Sequence, residues 1–271
     1  MISEVVNFSR DLGNFNLHTI KRGIGTMLGH ALCFVPGNFV LTVDGQVFKV
    51  SPDALSHQRL GIVARRYERS EIEILRRNFV KDDVIIEIGA HHGILSRYAF
   101  LEKLHPGGMY VCVEPNPVSH DALSFNMQWG KRLHPSKEFR ILNVAICDPE
   151  DAGKNVDFYV RNGLGSRLVY SKYPDDHETT IQVPTMSFGN LIGKLAPFGA
   201  SVICDAEGAE IFMLKEPEAF GRVRQMIIEL HEPHRTGQPD TPMVMLSKLE
   251  KLGFRAKDQA DNVYYLTHDP S

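Results

Sequence analysis

The run from Val84 to Leu104 constrains the fold of this chain more than any other part of its 271 residues. Residues 84–88 are apolar and β-branched except for Glu87, which predicts a buried strand. A turn with Gly89 and Gly93 follows, and residues 94–104 read as a helix. An open α/β sheet builds a nucleotide cleft from these three parts, because backbone N–H groups and the positive helix end face the ligand. The sequence therefore predicts a ligand at this turn.

The next predicted strand, 109–113, ends in an acid that identifies the ligand more closely. Glu114 follows Gly89 by 25 residues, close to the spacing at which a carboxylate meets the hydroxyls of an adenosine ribose. The glycines read Gly-x-x-x-Gly, without the additional glycine that lets backbone approach a pyrophosphate, and the chain has no phosphate-loop motif for a nucleoside triphosphate. S-adenosylmethionine carries no phosphate, so it fits this pattern best.

Composition narrows the class of protein. The chain is 43% hydrophobic and 23% charged with a net charge of −3, which is typical of a globular domain without a basic surface for nucleic acid. The four cysteines show no paired spacing, which favours a reducing, cytoplasmic location. An apolar stretch at 23–35 is too short to span a bilayer, and we expect it to form a helix packed on the domain.

The order of predicted elements indicates two parts. Residues 1–80 read as an N-terminal extension with a helix, a β-hairpin at 39–50 turned by Asp44-Gly45, and a helix at 70–79 with a Ser70–Glu73 capping box. Residues 81–271 alternate strand and helix, which predicts a doubly wound, mostly parallel seven-stranded α/β sheet. An insertion at 156–186 is expected to face the substrate. The strands are expected at 84–88, 109–113, 139–145, 201–204 and 225–230, with a closing hairpin at 254–256 and 263–267.

Two polar positions follow later strands and are the candidate catalytic residues. Asp205 ends the fourth strand and is expected to project beside the glycine turn, near the transferable methyl group. His231 ends the fifth strand, and its near-neutral pKa suits proton transfer. We expect Asp205 or His231 to be the base, and we interpret Glu210 as a solvated acid at a helix start. Spacing alone does not demand a metal at Asp205, Glu207, His231 and His234, so no metal site is predicted.

Several motifs together resemble the FkbM family of S-adenosylmethionine-dependent methyltransferases over about residues 39–254. They include Glu87-Ile88-Gly89-Ala90-His91-His92-Gly93, Val113-Glu114-Pro115-Asn116-Pro117 and Asp205-Ala206-Glu207-Gly208-Ala209-Glu210. The resemblance implies a Rossmann-like methyltransferase fold and O-methylation of a hydroxyl on a sugar or secondary metabolite. The cofactor-binding residues expected are Glu87, Gly89, Ala90, His91, Gly93, Glu114, Pro115, Asn116 and Ala145.

Two other functions are compatible with the same pattern. One is a protein that binds S-adenosylmethionine without transferring its methyl group, and the other is a nucleic-acid methyltransferase. The net negative charge and the lack of an Asn-Pro-Pro-Tyr type run after the fourth strand disfavour the second. We expect a small-molecule or saccharide acceptor, no nucleic acid and no membrane span; a homo-oligomer is left open.

Overall fold

The computed structural model describes residues 39–43, 46–50, 67–160, 167–168, 179–232 and 240–268. The expected helix at 23–35, the turn at 44–45 and His234 lie outside these ranges. The strands are β1 (Phe39–Val43), β2 (Gln46–Val50), β3 (Asp82–Ile88), β4 (Leu104–Val113), β5 (Glu138–Leu142), β6 (Ala145–Ile146), β7 (Asn155–Val160), β8 (Arg167–Leu168), β9 (Thr179–Met186), β10 (Ala200–Cys204), β11 (Val223–Glu229), β12 (Phe254–Ala260) and β13 (Val263–His268). The α-helices are α1 (Arg69–Asn78), α2 (Ile94–Glu102), α3 (His120–Leu133), α4 (Phe188–Leu195), α5 (Glu210–Met213) and α6 (Pro242–Lys251).

Seven strands form the main sheet, in the order β12-β13-β11-β10-β3-β4-β5. The pairs from β11 to β5 are parallel, whereas β13 is antiparallel to both β11 and β12. The predicted α/β class with a doubly wound, mostly parallel seven-stranded sheet is confirmed. Strand order reverses between β3 and β10, so a crevice opens outside their carboxyl ends.

Apolar side chains cover both faces of the main sheet. One core packs α4, α5 and α6 against strand residues such as Val111, Val202 and Met226. The other core packs β2, α1, α2 and α3 against the opposite face, where Ile85 and Tyr110 are buried. Burial on both faces explains why the central strands read as continuous apolar runs.

The predicted insertion contributes to a second sheet. β7 pairs antiparallel with β8 and β9, and β6 pairs parallel with β9, which gives the order β6-β9-β7-β8. The expected third strand over 139–145 is therefore wrong at its end, since β5 stops at Leu142 and Ala145 belongs to the second sheet. Phe158 and Val183 of this sheet are buried in the first core.

Helix α1 departs from the expected capping pattern. Its N-cap is Glu68, with a left-handed φ of 50°, and Glu73 pairs with Arg69 at 2.6 Å rather than capping the helix. The Ser70–Glu73 capping box is therefore wrong. Ile74 and Leu75 are fully buried, so α1 is tied to the main sheet although its sequence lies in the predicted extension.

Two further predictions concern cysteines and membranes. Cys112, Cys147 and Cys204 are buried and carry free thiols, so they pack in the core as small apolar residues. Within the described ranges, every helix is too short or too polar to cross a membrane.

Candidate active site

A cleft opens at the carboxyl ends of β3, β4 and β10. This is where strand order reverses, the place at which open α/β sheets bind ligands. The lining residues are Tyr67, Glu68, Ile88, Gly89, His91, Val113, Glu114, Pro115, Asn116, Val144, Ala145, Ile146, Phe158, Asp205, Ala206, Glu207 and Ala209.

The glycine turn forms the floor of the cleft. The N–H groups of Gly89 and Ala90 both donate to the Val113 carbonyl, at 2.9 and 3.2 Å, which fixes the turn against the end of β4. Gly89 has a φ of +87°, and a Cβ there would lie 1.7 Å from the Asp205 backbone oxygen. Gly93 has a φ of +75° and is the N-cap of α2. Of the predicted turn residues, Gly89 and His91 line the cleft, while Ala90 and Gly93 support it from behind.

Glu114 is held in place by backbone groups. Its Oε1 accepts from the Asn116 N–H and its Oε2 from the His91 N–H, both at 2.7 Å. Burial raises the pKa of Glu114 from 4.5 to about 7, although both N–H groups act to lower it. Each oxygen keeps a lone pair for a further donor, so the carboxylate is oriented to accept two hydroxyl groups.

Glu87, predicted to bind the cofactor, lies away from the cleft. It is buried on the face of the sheet opposite to its neighbours Ile86 and Ile88, where the Tyr110 hydroxyl donates to its Oε2 at 2.8 Å. Burial raises its pKa to about 8. Side chains alternate along a strand, so Glu87 is one residue out of phase with the cleft lining.

An apolar wall faces Glu114 from the β5 side of the cleft. It consists of Val144, Ala145 and Ile146 after β5, with Phe158 from β7. The predicted site residues Pro115, Asn116 and Ala145 are therefore brought together with Glu114. This wall offers a flat apolar group, such as an aromatic base, a surface on which to pack.

A group of charged side chains stands on the other side of the glycine turn, around His231. Its Nδ1 lies 3.0 Å from Glu210 Oε1, and its Nε2 lies 3.5 Å from both Asp205 Oδ1 and Glu207 Oε2. Glu210 is fully buried and also accepts from the Ala206 N–H at 2.9 Å. The interpretation of Glu210 as a solvated helix-end acid is therefore wrong, because the side chain points inward to His231.

Burial and neighbouring charges have opposing effects on the pKa of each candidate base. Burial lowers the pKa of His231, but Glu210, Asp205 and Glu207 outweigh it and raise the pKa from 6.5 to about 11. An imidazolium has no lone pair for another proton, which argues against His231 as the base. Burial and the nearby Glu229 raise the pKa of Asp205 well above 3.8, with His231 opposing them, so Asp205 is the better proton acceptor of the two.

Three side chains of this group also have donor atoms that suit a metal ion. Asp205, Glu210 and His231 each offer one donor atom, and these atoms lie within 4.8 Å of one another. Carboxylate and imidazole groups suit divalent ions. A metal ion would have to replace the proton on His231, and we assign none. The possible metal ligands named from the sequence included Glu207 and His234 instead of Glu210.

Tyr67 and Glu68 were not predicted, yet both line the cleft. The Tyr67 hydroxyl is 2.9 Å from His91 Nδ1, and Glu68 Oε2 accepts from the Leu95 N–H at 2.8 Å. Burial raises the pKa of Glu68 well above 4.5, and the charges of Glu71 and Glu87 add to this. No local pattern signals such contacts, because the partners of Tyr67 and Glu68 lie more than 20 residues along the chain.

No protein-family model matches the chain, and no curated protein matches it. Solved structures similar to it include precorrin-6y C5,15-methyltransferase from Geobacter metallireducens GS-15, at 14% identity over 74% of this chain and 86% of that one, with a TM-score of 0.40. Another is M. jannaschii TYW2 in complex with AdoMet, at 13% identity over 84% and 83%, with a TM-score of 0.38. A third is M. capricolum TrmK in complex with S-adenosyl-homocysteine, at 10% identity over 73% and 66%, with a TM-score of 0.38. These likenesses are distant, and the fold assignment rests on the sheet order itself.

Proposed function

We propose that this chain is an S-adenosylmethionine-dependent methyltransferase that methylates a hydroxyl group on a sugar or another small metabolite. The observation that carries the proposal is the convergence of Gly89, Glu114 and Asp205 on one cleft at the reversal of strand order. The motif resemblance to the FkbM family supports the same activity.

The walls of the cleft fit the parts of this cofactor. Glu114 presents two oriented oxygens to the ribose hydroxyls, and the wall of Val144, Ala145 and Phe158 suits the adenine ring. Gly89 leaves no side chain between the ligand and the ends of β3 and β10. The protein contributes the orientation of the ligand, which is the main source of rate in a displacement between two aligned groups.

The chemistry then requires one proton acceptor. S-adenosylmethionine supplies an electrophilic methyl group on a sulfonium centre. Asp205 lies next to the glycine turn and takes the proton from the acceptor hydroxyl, while His231 and Glu210 hold the Asp205 side of the cleft in place. A carboxyl group whose pKa is raised above its ordinary value is a stronger proton acceptor than an ordinary aspartate, which suits this role.

Two variants separate binding from transfer. Glu114→Gln is expected to weaken S-adenosylhomocysteine binding about 10- to 100-fold, because a hydrogen bond to a charged group contributes about 1.5–3 kcal/mol. Asp205→Asn is expected to keep that affinity and to lower methyl transfer about 10²- to 10⁴-fold. Calorimetry measures the first effect, and release of S-adenosylhomocysteine with a panel of hydroxyl compounds measures the second.

The control is Glu218→Gln, which removes a carboxylate from an exposed position outside the cleft and should change neither quantity. Binding without transfer to any acceptor would favour a binding protein over an enzyme. Transfer to a bulk tRNA preparation but to no small hydroxyl compound would refute the proposed acceptor class. Absence of binding to the wild-type chain would refute the cofactor.

A further inference from the structure

Glu68 occupies a position that the glycine turn would otherwise leave open to the ligand. It is half-buried at the start of α1 and lines the cleft beside Gly89 and His91. Its Oε2 accepts from the N–H of Leu95, in the first turn of α2, at 2.8 Å. The hydroxyl of the adjacent Tyr67 lies 2.9 Å from His91 Nδ1. The side chains of Tyr67 and Glu68 therefore both bind residues of the segment that contains the glycine turn.

The backbone at Glu68 is held in an uncommon conformation. Its φ of 50° is left-handed, which costs a residue other than glycine on the order of 1 kcal/mol or more and persists only where the surroundings impose it. The conformation sends the main chain into α1 while the side chain turns back to α2. The strained conformation therefore places the Glu68 carboxyl group in the cleft.

The charge of this site differs from what a free helix end offers. The first turn of a helix attracts anions, but here the Leu95 N–H already binds the Glu68 carboxylate. The turn thus presents a carboxyl group, not an open N-terminus, to the ligand. Among the described residues that line the cleft there are four carboxylates and no lysine or arginine. A ligand that carries a cationic group would therefore complement the acidic lining of the cleft.

The fixed position of Glu114 determines which part of the ligand would carry this cationic group. Glu114 at the end of β4 orients the ribose, and the apolar wall places the base on the β5 side. The rest of the ligand must then extend over Gly89 toward α2 and β10. On that path Glu68 lies on the α2 side and Asp205 on the β10 side.

Resting on the proposed function, we propose that Glu68 binds the α-ammonium group of S-adenosylmethionine and so aligns the sulfonium methyl with Asp205. The Glu68 carboxyl group, which also interacts with the Tyr67 hydroxyl, accepts from the ammonium while Oε2 stays on Leu95. A buried or half-buried carboxylate that gains a charged donor forms one of the stronger hydrogen bonds available to a protein.

The test compares two ligands that differ only at the amino-acid end. S-adenosylhomocysteine carries the ammonium group, and 5′-methylthioadenosine has the same adenosine and thioether without it. Glu68→Gln keeps an amide oxygen for the Leu95 N–H, so the turn retains its contact. Calorimetry should show a loss of about 10- to 100-fold in affinity for S-adenosylhomocysteine and no more than about a 2-fold change for methylthioadenosine. Glu114→Gln should weaken both ligands by similar factors.

Three results would overturn the proposal: unchanged S-adenosylhomocysteine affinity in Glu68→Gln, equal loss for both ligands in that variant, or equal affinity of the wild-type chain for 5′-methylthioadenosine and for S-adenosylhomocysteine. The last comparison needs no variant and stands even if Glu68→Gln does not fold. Failure of the wild-type chain to bind either adenosine ligand refutes the proposed function instead.

Discussion

Gly89 is the position where backbone geometry and the cleft depend most directly on each other. A Cβ placed there would lie 1.7 Å from the Asp205 carbonyl oxygen and 2.7 Å from its carbonyl carbon. Both atoms are backbone, so Gly89→Ala can be accommodated only if the ends of β3 and β10 move apart. Those two ends carry the glycine turn and Asp205, and any such movement also widens the cleft.

The expected magnitude has two parts. An alanine at a φ of +87° costs about 1–2 kcal/mol, because a Cβ crowds the following carbonyl in that conformation. Forcing the strand ends apart adds about 1–3 kcal/mol, the usual cost of overpacking. Gly89→Ala should therefore lose about 2–5 kcal/mol from a total stability of about 5–15 kcal/mol.

Gly107 provides the matched control for this variant. Its φ is +82°, nearly that of Gly89, but a Cβ there would meet nothing within 4 Å. Gly107→Ala should lose only the conformational part, about 1–2 kcal/mol. Urea unfolding of the two variants beside wild type measures the difference. If Gly107→Ala is as destabilising as Gly89→Ala, close approach of the Asp205 backbone does not explain the glycine.

Two further predictions follow from pKa shifts in the folded protein. Glu87 has a pKa of about 8 in the folded protein, well above its ordinary 4.5. Between these two pH values the folded state holds a proton that the unfolded state releases. The wild-type protein therefore loses stability as the pH rises from about 4.5 to about 8. Glu87→Gln has no such proton, so its free energy of unfolding relative to wild type should rise between about pH 5 and about pH 8.5 in urea unfolding, while cofactor affinity stays the same. A stability difference between the two proteins that does not change with pH would contradict a buried acid at this position. His231, with a folded pKa of about 11, should keep constant imidazole NMR shifts from about pH 6 to about pH 9. Its stabilising contribution should be complete below about pH 6.5 and disappear as pH rises through about 11. A ring that titrates near pH 7 would restore His231 as a candidate base.

Three of the residues predicted from the sequence line the cleft, and they share one local property. Gly89, Glu114 and Asp205 each follow directly after a buried strand, and parallel strands bring their carboxyl ends to one edge of the sheet. The pattern of strand followed by a polar residue or glycine is therefore enough to place them together. The same logic predicts the sheet, because alternating strands and helices leave few other arrangements.

Residues whose position depends on facing or on distant contacts are not predictable in this way. Glu87 lies within an apolar run buried on both faces, and such a run does not reveal which side chains point to the cleft. Glu210 looks like an ordinary helix-start acid until β11 brings His231 against it. Glu68 contacts Leu95 only because α1 folds back over the turn. Each error or omission arises from a contact between separate elements that the local sequence does not encode.

The charge of the cleft connects the cofactor with the acceptor. Its described lining carries Glu68, Glu114, Asp205 and Glu207 without a lysine or arginine, so the cationic sulfonium and ammonium groups of the proposed cofactor complement it. A phosphate beside the acceptor hydroxyl would instead approach Asp205 and Glu207. The His231 imidazolium lies 3.5 Å from both but also pairs with Glu210, so carboxylates outnumber the cation there. One uncompensated negative charge 4 Å from a phosphate repels it by about 4 kcal/mol at the effective dielectric of a protein surface. That repulsion exceeds the roughly 1 kcal/mol expected from a typical neutral hydrogen bond. The same electrostatics that favour a cationic methyl donor are therefore the reason for proposing an uncharged hydroxyl compound, rather than a nucleic acid, as the acceptor.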